Sequence, residues 1–333
     1  MSVNVAIAGA TGAVGQEFLT VLAERNFPIK NLRLLASAKS AGKTMQFKGQ
    51  DYKVEELTND SFKDIQIAFF SAGGSISKQF APAAVAAKAV IVDNTSAFRM
   101  KEGIPLVVPE VNPEQIHKHN GLIANPNCST IIMNVPVWPL HKANKIKRII
   151  VSTYQAVSGA GAWGLYELDA QLKAYANGQP IVKEKFPHQI ANNLFSHNTT
   201  IGENGYNEEE NKMVNETRKI FGDPKIMVTA TCIRIPVPRA HCESINLEFE
   251  RPITPAEVRK ILSTAPGVTI VDDRAGNHFP MPIEAIGQDN VLIGRIRQDM
   301  SREDGKGIEM FVSGDQIRKG AATNAVQIAE KLI

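Results

Sequence analysis

The stretch Val3-Asn4-Val5-Ala6-Ile7-Ala8 is nearly all apolar and runs without a break into Gly9-Ala10-Thr11-Gly12-Ala13-Val14-Gly15. A short, continuously apolar run is the pattern of a strand covered on both faces. Beyond it, Phe18, Leu19, Leu22 and Ala23 fall at helical spacing, Pro28 closes that segment, and Leu32-Arg33-Leu34-Leu35-Ala36 reads as a second strand. The result is a βαβ unit whose glycines stand where a pyrophosphate needs close backbone approach at a helix N-terminus. The spacing is G-x-x-G-x-x-G rather than the commoner G-x-G-x-x-G, so the flanking elements carry the reading. A Rossmann dinucleotide domain is expected, with Gly9 in the phosphate loop.

The end of the second strand narrows the cofactor. An NAD site usually places Asp or Glu there to bind the ribose 2′-hydroxyl. Here the chain reads Ser37-Ala38-Lys39-Ser40-Ala41-Gly42-Lys43, with no acid. Hydroxyls and cations suit a 2′-phosphate, so NADP is expected over NAD; a lysine-rich surface loop is the plain alternative. Two further strands, Ile65-Gln66-Ile67-Ala68-Phe69-Phe70 and Val90-Ile91-Val92-Asp93, also end in small polar residues, where open α/β sheets bind ligands. Arg99 follows the second of them with no acid in its immediate neighbourhood, which leaves a solvated charge and an anion clamp both open.

Composition sets the outer limits. A chain of 333 residues suffices for about two ordinary domains. Its 43% hydrophobic and 21% charged residues are those of a soluble globular protein. A net charge of +3, from 37 basic and 34 acidic residues, offers no nucleic-acid footprint. No apolar stretch approaches membrane-spanning length, so no membrane partner is expected. The N-terminus shows no leader pattern, and the three cysteines, an odd number, argue against a disulfide framework. A cytoplasmic location is expected.

In the middle of the chain, Asn125-Pro126-Asn127-Cys128-Ser129-Thr130 opens onto Ile131, Ile132, Met133, Val135 and Val137. Pro126 favours an extended Asn125, and Asn127 and Ser129 are capping types, so a tight turn delivers Cys128 to the first turn of a helix. There the helix dipole favours a thiolate over a thiol, whose free pKa is ~8.5. The alternative is a small buried hydrophobe. That helix is expected to be interrupted at Pro136 and Pro139.

Beyond it, the strand Ile149-Ile150-Val151-Ser152-Thr153-Tyr154-Gln155 leads into a literal G-x-G-x-x-G at residues 159–164. No strand with an acid follows, so this is no second dinucleotide fold; its glycines let the backbone approach a cofactor held elsewhere. Residues 196–211 read as a polar loop, and the acidic run from Glu208 opens a helix to Phe221, with Glu209 and Lys212 an i,i+3 pair. A strand at 227–235 is followed by one from His241 to Glu250 with alternating polarity, half-buried, with His241 on the covered face and Cys242 on the other. The chain has no H-x-x-x-H or C-x-x-C, so no metal is expected. Residues 315–333 read as one closing helix, packed back onto the first domain.

Residues 9–15, 37–43, 94–99, 125–130, 154–161 and 209–212, Arg234-Ile235-Pro236 with His241, and residues 315–324 together resemble the bacterial aspartate-semialdehyde dehydrogenases over essentially the whole chain. The resemblance implies an α/β protein of glyceraldehyde-phosphate-dehydrogenase-like type. Its Rossmann NADP-binding domain would span 1–127 with 316–333, and an α+β catalytic and dimerisation domain 128–315. It implies reversible NADPH-dependent reduction of L-aspartyl 4-phosphate to L-aspartate 4-semialdehyde and phosphate through a cysteine thioester. This step leads toward lysine, diaminopimelate, threonine, methionine and isoleucine.

Residue by residue, the resemblance makes Cys128 the nucleophile, His241 the acid/base and Gln155 the residue that positions the intermediate. Asn127 lines the same pocket, Arg234 clamps the substrate α-carboxylate and Glu209 holds its amino group. Arg99 and Lys212 receive the phosphate. Thr11, Gly12, Ala13 and Val14 with Ser37, Lys39 and Ser40 hold the adenosine phosphates, and Ser158, Gly159, Gln316 and Asn324 border the nicotinamide. Lys39 stands where the family often carries arginine. A homodimer is expected, with a tetramer left open. The rival readings are an N-acetyl-glutamyl-phosphate reductase, which should lack the Glu209/Lys212 helix and the Arg234 to His241 spacing, and a non-catalytic NADP-binding regulator, which needs no thiolate.

Overall fold

A computed structural model describes residues 2–333, which fall into two compact units, Met1–Asn127 with Ala321–Ile333, and Cys128–Gly320. The chain passes from the second unit to the first after Gly320, whereas the resemblance puts the return at 316.

The first unit opens with β1 (Val3–Ala8), α1 (Ala13–Glu24) and β2 (Ile29–Ala36). Then come β3 (Thr44–Phe47), β4 (Gln50–Glu56), β5 (Ile67–Phe70), α2 (Gly74–Ala86), β6 (Val90–Asp93) and β7 (Leu122–Ala124). They form one seven-stranded sheet in the order β3-β4-β2-β1-β5-β6-β7, parallel except for the β3–β4 hairpin. β1 lies at its centre, with Ile7 opposite Leu34 of β2 and Phe69 of β5. As its apolar run requires, both faces are covered. Val5 and Ile7 join one cluster with Phe18, Leu22 and Val326, and Ala6 and Ala8 join another with Phe62, Phe70 and Ala84.

The second unit runs α3 (Cys128–Ala143), β8 (Ile146–Gln155), α4 (Ala162–Ala176), β9 (Phe195–Ser196), α5 (Glu208–Phe221), β10 (Met227–Arg234) and β11 (His241–Phe249). It continues with α6 (Pro255–Leu262), β12 (Val268–Ile270), α7 (Pro282–Ala285), β13 (Val291–Gln298) and β14 (Gly307–Gly314). Its mixed sheet has the order β12-β13-β14-β11-β8-β10-β9. β8 lies between β10 and β11, parallel to the former and antiparallel to the latter, so the last residues of β8 and β10 and the first of β11 meet at one edge.

Three expectations need correction. α3 is continuous through Pro136 and Pro139. Each proline forfeits one backbone donor, but every residue from Ser129 to Val137 is buried, and that packing outweighs the loss. The closing segment is not one helix: a π-helical turn at Arg318–Ala322 precedes α8 (Thr323–Glu330). The Asp315 carboxylate accepts from the Ile317 and Arg318 amides, and its carbonyl takes the Gly320 amide five residues on, which widens the turn. β11 is half-buried only from Ser244 onward; His241, Cys242 and Glu243 are all buried. Among the described residues no helix is long and apolar enough to cross a membrane.

Candidate active site

The edge where β8, β10 and β11 meet gathers Gln155, Arg234 and His241. Parallel pairing sets Arg234 directly beside Gln155. The Ala156 amide donates to His241 Nδ1 at 3.0 Å. That bond leaves the proton of a neutral imidazole on Nε2. Nε2 is buried and has no hydrogen-bond partner among the described residues. Burial, reinforced by the Arg234 charge, lowers the His241 pKa to about 3. His241 is therefore a neutral Nε2–H donor with no acceptor among the described residues.

Arg234 is held rigidly. Its Nη1 donates to the Ala156 carbonyl at 2.6 Å, and its Nη2 meets His197 Nε2 at 2.7 Å and Asn198 Oδ1 at 3.5 Å. Its Nε is buried without a partner among the described residues. A Cβ added to Gly159 would lie 3.3 Å from both Arg234 Nη1 and His241 Cε1, so the backbone there closes down on both side chains. His197, whose pKa burial lowers to about 4, escapes sequence reasoning, because it stands in a polar segment without periodicity.

The acidic start of α5 divides its labour. Asn207 and Glu210 form a reciprocal capping box, and Glu210 also accepts from the Cys232 amide at 3.0 Å. Glu209 is buried and faces the site. It accepts from Gln155 Nε2 at 3.1 Å and pairs with Lys212 Nζ at 3.3 Å. Thr153 donates to Gln155 Oε1 at 3.0 Å, which fixes the amide so that its nitrogen points to Glu209.

Cys128 is the first residue of α3 and is half-buried, whereas Cys232 and Cys242 are fully covered. Burial raises both of those thiols, Cys242 to about 11. Cys128 also lies within electrostatic reach of Arg234. Gln316 donates to Ser158 and accepts from the Ala240 amide, tying the turn after β8 to the residue before His241.

In the first unit, Arg99 is buried, which removes the solvated-charge reading. It donates through Nε to the Asn125 carbonyl at 2.9 Å and through Nη2 to the Asn94 carbonyl at 2.8 Å. Asn127, which leads into Cys128, is likewise buried. Asn324 is fully buried and donates to the Val107 carbonyl and to Asn125 Oδ1.

The glycine loop fits a nicotinamide dinucleotide. Gly9 has φ +92°, and a Cβ there would stand 2.6 Å from the Ser71 carbonyl oxygen. A Cβ on Gly15 would lie 2.2 Å from the Gly9 carbonyl oxygen, so glycine lets the helix approach the loop. Gly12 is the N-cap of α1 and offers no side-chain cap, which leaves the first-turn amides of Ala13 and Val14 facing outward for an anion. Ser37 precedes a short 3-10 turn, Ala38–Ser40, on which Lys39 is exposed.

Glu243 is a buried acid outside this constellation. It lies opposite Thr153 on β8, and neither carboxyl oxygen has a hydrogen bond among the described residues. Burial, and then the Glu209 carboxylate, raise its pKa well above 4.5. In the native state it holds a proton that the unfolded chain releases above pH 4.5, so this group costs stability as pH climbs. Glu243→Gln is expected to raise the urea midpoint at pH 8, with the gain shrinking toward pH 5. A gain that is absent, or equal at both pH values, would show Glu243 to be ionised in the native state.

Family comparison agrees with this architecture. Residues 4–119 match the semialdehyde dehydrogenase NAD binding domain, and residues 137–319 match the semialdehyde dehydrogenase dimerisation domain. An aspartate-semialdehyde dehydrogenase of Synechocystis sp. is 52% identical over 99% of this chain and 97% of its own length. That of Bacillus subtilis is 48% identical over 99% and 97%. A crystal structure of aspartate semialdehyde dehydrogenase II from Vibrio cholerae, complexed with ASA, superposes with a TM-score of 0.97 at 47% identity, covering 100% of this chain and 98% of that one.

Proposed function

The chain belongs to the aspartate-semialdehyde dehydrogenase family, and from that membership we propose that it reversibly reduces L-aspartyl 4-phosphate to L-aspartate 4-semialdehyde and phosphate. The observation that supports this most directly is the buried, unpartnered Nε2 of His241 beside Arg234. A donor kept dry in this way suits an oxygen that gains charge only during reaction.

Cys128 is the nucleophile. Its thiolate, favoured at a helix N-terminus, attacks the acyl carbon; a C–S bond forms, the C–O bond to phosphate breaks, and a thioester remains. When bound, the reduced nicotinamide supplies hydride to that carbon. His241, being neutral, donates its Nε2–H as a hydrogen bond to the resulting oxyanion and holds it until the C–S bond breaks and the aldehyde leaves the Cys128 thiolate. Gln155 orients the thioester, with Asn127 lining the pocket. Arg234 grips the α-carboxylate, Glu209 takes the amino group, and Arg99 and Lys212 receive the phosphate.

NADP is the cofactor of choice, its phosphates held by Gly9, Thr11, Gly12, Ala13 and Val14 with Ser37, Lys39 and Ser40. Ser158, Gly159, Gln316 and Asn324 border its nicotinamide. The enzyme works in the cytoplasm as a homodimer. The test is reduction of NADP by aspartate semialdehyde. It should require inorganic phosphate and run faster with NADP than with NAD. The reverse assay should favour L-aspartyl 4-phosphate over N-acetyl-glutamyl phosphate. A rate indifferent to phosphate, or a preference for the N-acetylated substrate, contradicts the proposal.

Arg234→Lys is expected to raise KM for aspartate semialdehyde about tenfold or more, because a point charge cannot replace a two-pronged donor. An unchanged KM removes Arg234 from the substrate site.

A further inference from the structure

The π turn at Arg318–Ala322 lies against the proposed nucleophile, and its contact is with a glycine. A Cβ built on Gly320 would stand 2.9 Å from the Cys128 Cβ and 3.3 Å from its Cα, with Gln316 Cβ next at 3.4 Å. The first distance is closer than real side-chain carbons approach, whereas the other two are tight but tolerable. Glycine is not there for its backbone angles, since Gly320 is absent from the positive-φ positions. What the site demands is the missing side chain.

The turn that presents Gly320 is itself firmly tied. The Asp315 carboxylate accepts from the amides of Ile317, Arg318 and Gly287, and Arg239 Nε reaches it at 2.8 Å. Gln316 accepts from the Ala240 amide at 2.8 Å. Arg239 and Ala240 are the two residues before His241, so one turn holds the approach to His241 at one end and abuts Cys128 at the other. An i→i−5 bond from the Gly320 amide to the Asp315 carbonyl sets the extra width that brings Gly320 to this spot.

We propose that Gly320 is a positioning residue for Cys128: its bare Cα forms the wall against which the Cys128 Cβ rests, and any side chain at 320 displaces the thiol. The inference rests on the reading of Cys128 as nucleophile for its kinetic consequence, but not for its geometry.

The test is Gly320→Ala in three backgrounds: wild type, Cys128→Ala, which keeps the Cβ, and Cys128→Gly, which removes it. In the wild-type background, kcat should fall by tenfold or more, up to about a hundredfold, with KM changed much less, because reacting atoms are misplaced rather than substrate binding lost. Iodoacetamide alkylation of Cys128 should change in rate. Gly320→Ala should lower Tm by about 3 °C or more in the wild-type and Cys128→Ala backgrounds, and by much less in Cys128→Gly. If the single variant does not fold, the Cys128→Gly double variant should fold. A Tm loss equal in all three backgrounds, a double variant that also fails to fold, or wild-type kcat and alkylation in Gly320→Ala would each overturn the proposal. If Cys128→Ala alone leaves turnover intact, the nucleophile assignment fails instead, and the Tm comparison still decides the geometry.

Discussion

Replacing Cys128 with alanine is expected to lower NADPH-dependent turnover by at least about a thousandfold while NADP binding persists. An acyl phosphate accepts hydride poorly until its acyl group moves to sulfur, and neither of the other thiols can take over. Cys232 and Cys242 are buried and their pKa values are raised. Alanine keeps the Cβ that rests against Gly320, so the variant should fold and unfold as the wild type does. Steady-state assay and NADP titration of the same preparation check both halves. Surviving turnover would refute thioester chemistry, and lost NADP binding would show that the substitution disturbed more than the thiol.

His241→Asn should cost about 10²–10³ in kcat with a much smaller change in KM. The asparagine carbonyl can still accept from the Ala156 amide, but the donor at the Nε2 position is gone. Because the native pKa is about 3, His241 stays neutral across the working range. The kcat/KM profile of the free enzyme should therefore show no acid limb near 6.5 from this group. Stability moves in a definite direction too. The unfolded chain protonates this histidine below 6.5 and the folded one does not, so stability falls as pH drops through that value toward 3. The asparagine variant should lose up to about 1.4 kcal/mol less per pH unit in that window. Equal kcat in variant and wild type would remove His241 from the chemistry.

The fold of the first unit is legible because β1 is apolar on both faces and is followed by glycines at a helix start. Three strands of the same sheet, β3, β4 and β7, gave no such signal. β7 is the three residues Leu122-Ile123-Ala124, too short for periodicity. The β3–β4 hairpin turns through Lys48 at φ 49° and Gly49 at φ 77°, a left-handed pair that a lysine does not advertise as Asn-Gly would. The prolines of α3 gave a false stop because propensity is a local quantity, whereas burial from Ser129 to Val137 is a property of the whole unit.

At the site, the positions of Gln155, Arg234 and His241 follow from the pairing of β10 and β11 with β8, which the chain sequence cannot state; the resemblance supplied those residues. What it left out are the supports. His197 holds Arg234 from a polar loop, Thr153 orients Gln155 from inside a strand, and Gly320 lies within a segment read as plain helix. None was marked out in the sequence, because each matters only through the residue it touches: Arg234 for His197 and Cys128 for Gly320, both distant in sequence, and Gln155 for Thr153, two residues along its own strand.

The most direct test of the central claim is mass spectrometry of the enzyme quenched in acid during steady-state turnover of aspartate semialdehyde, NADP and phosphate, followed by peptide mapping. The account expects one aspartyl group in thioester linkage on Cys128, absent from the Cys128→Ala variant. Sustained turnover with that peptide unmodified, or with the aspartyl group on another residue, would contradict it.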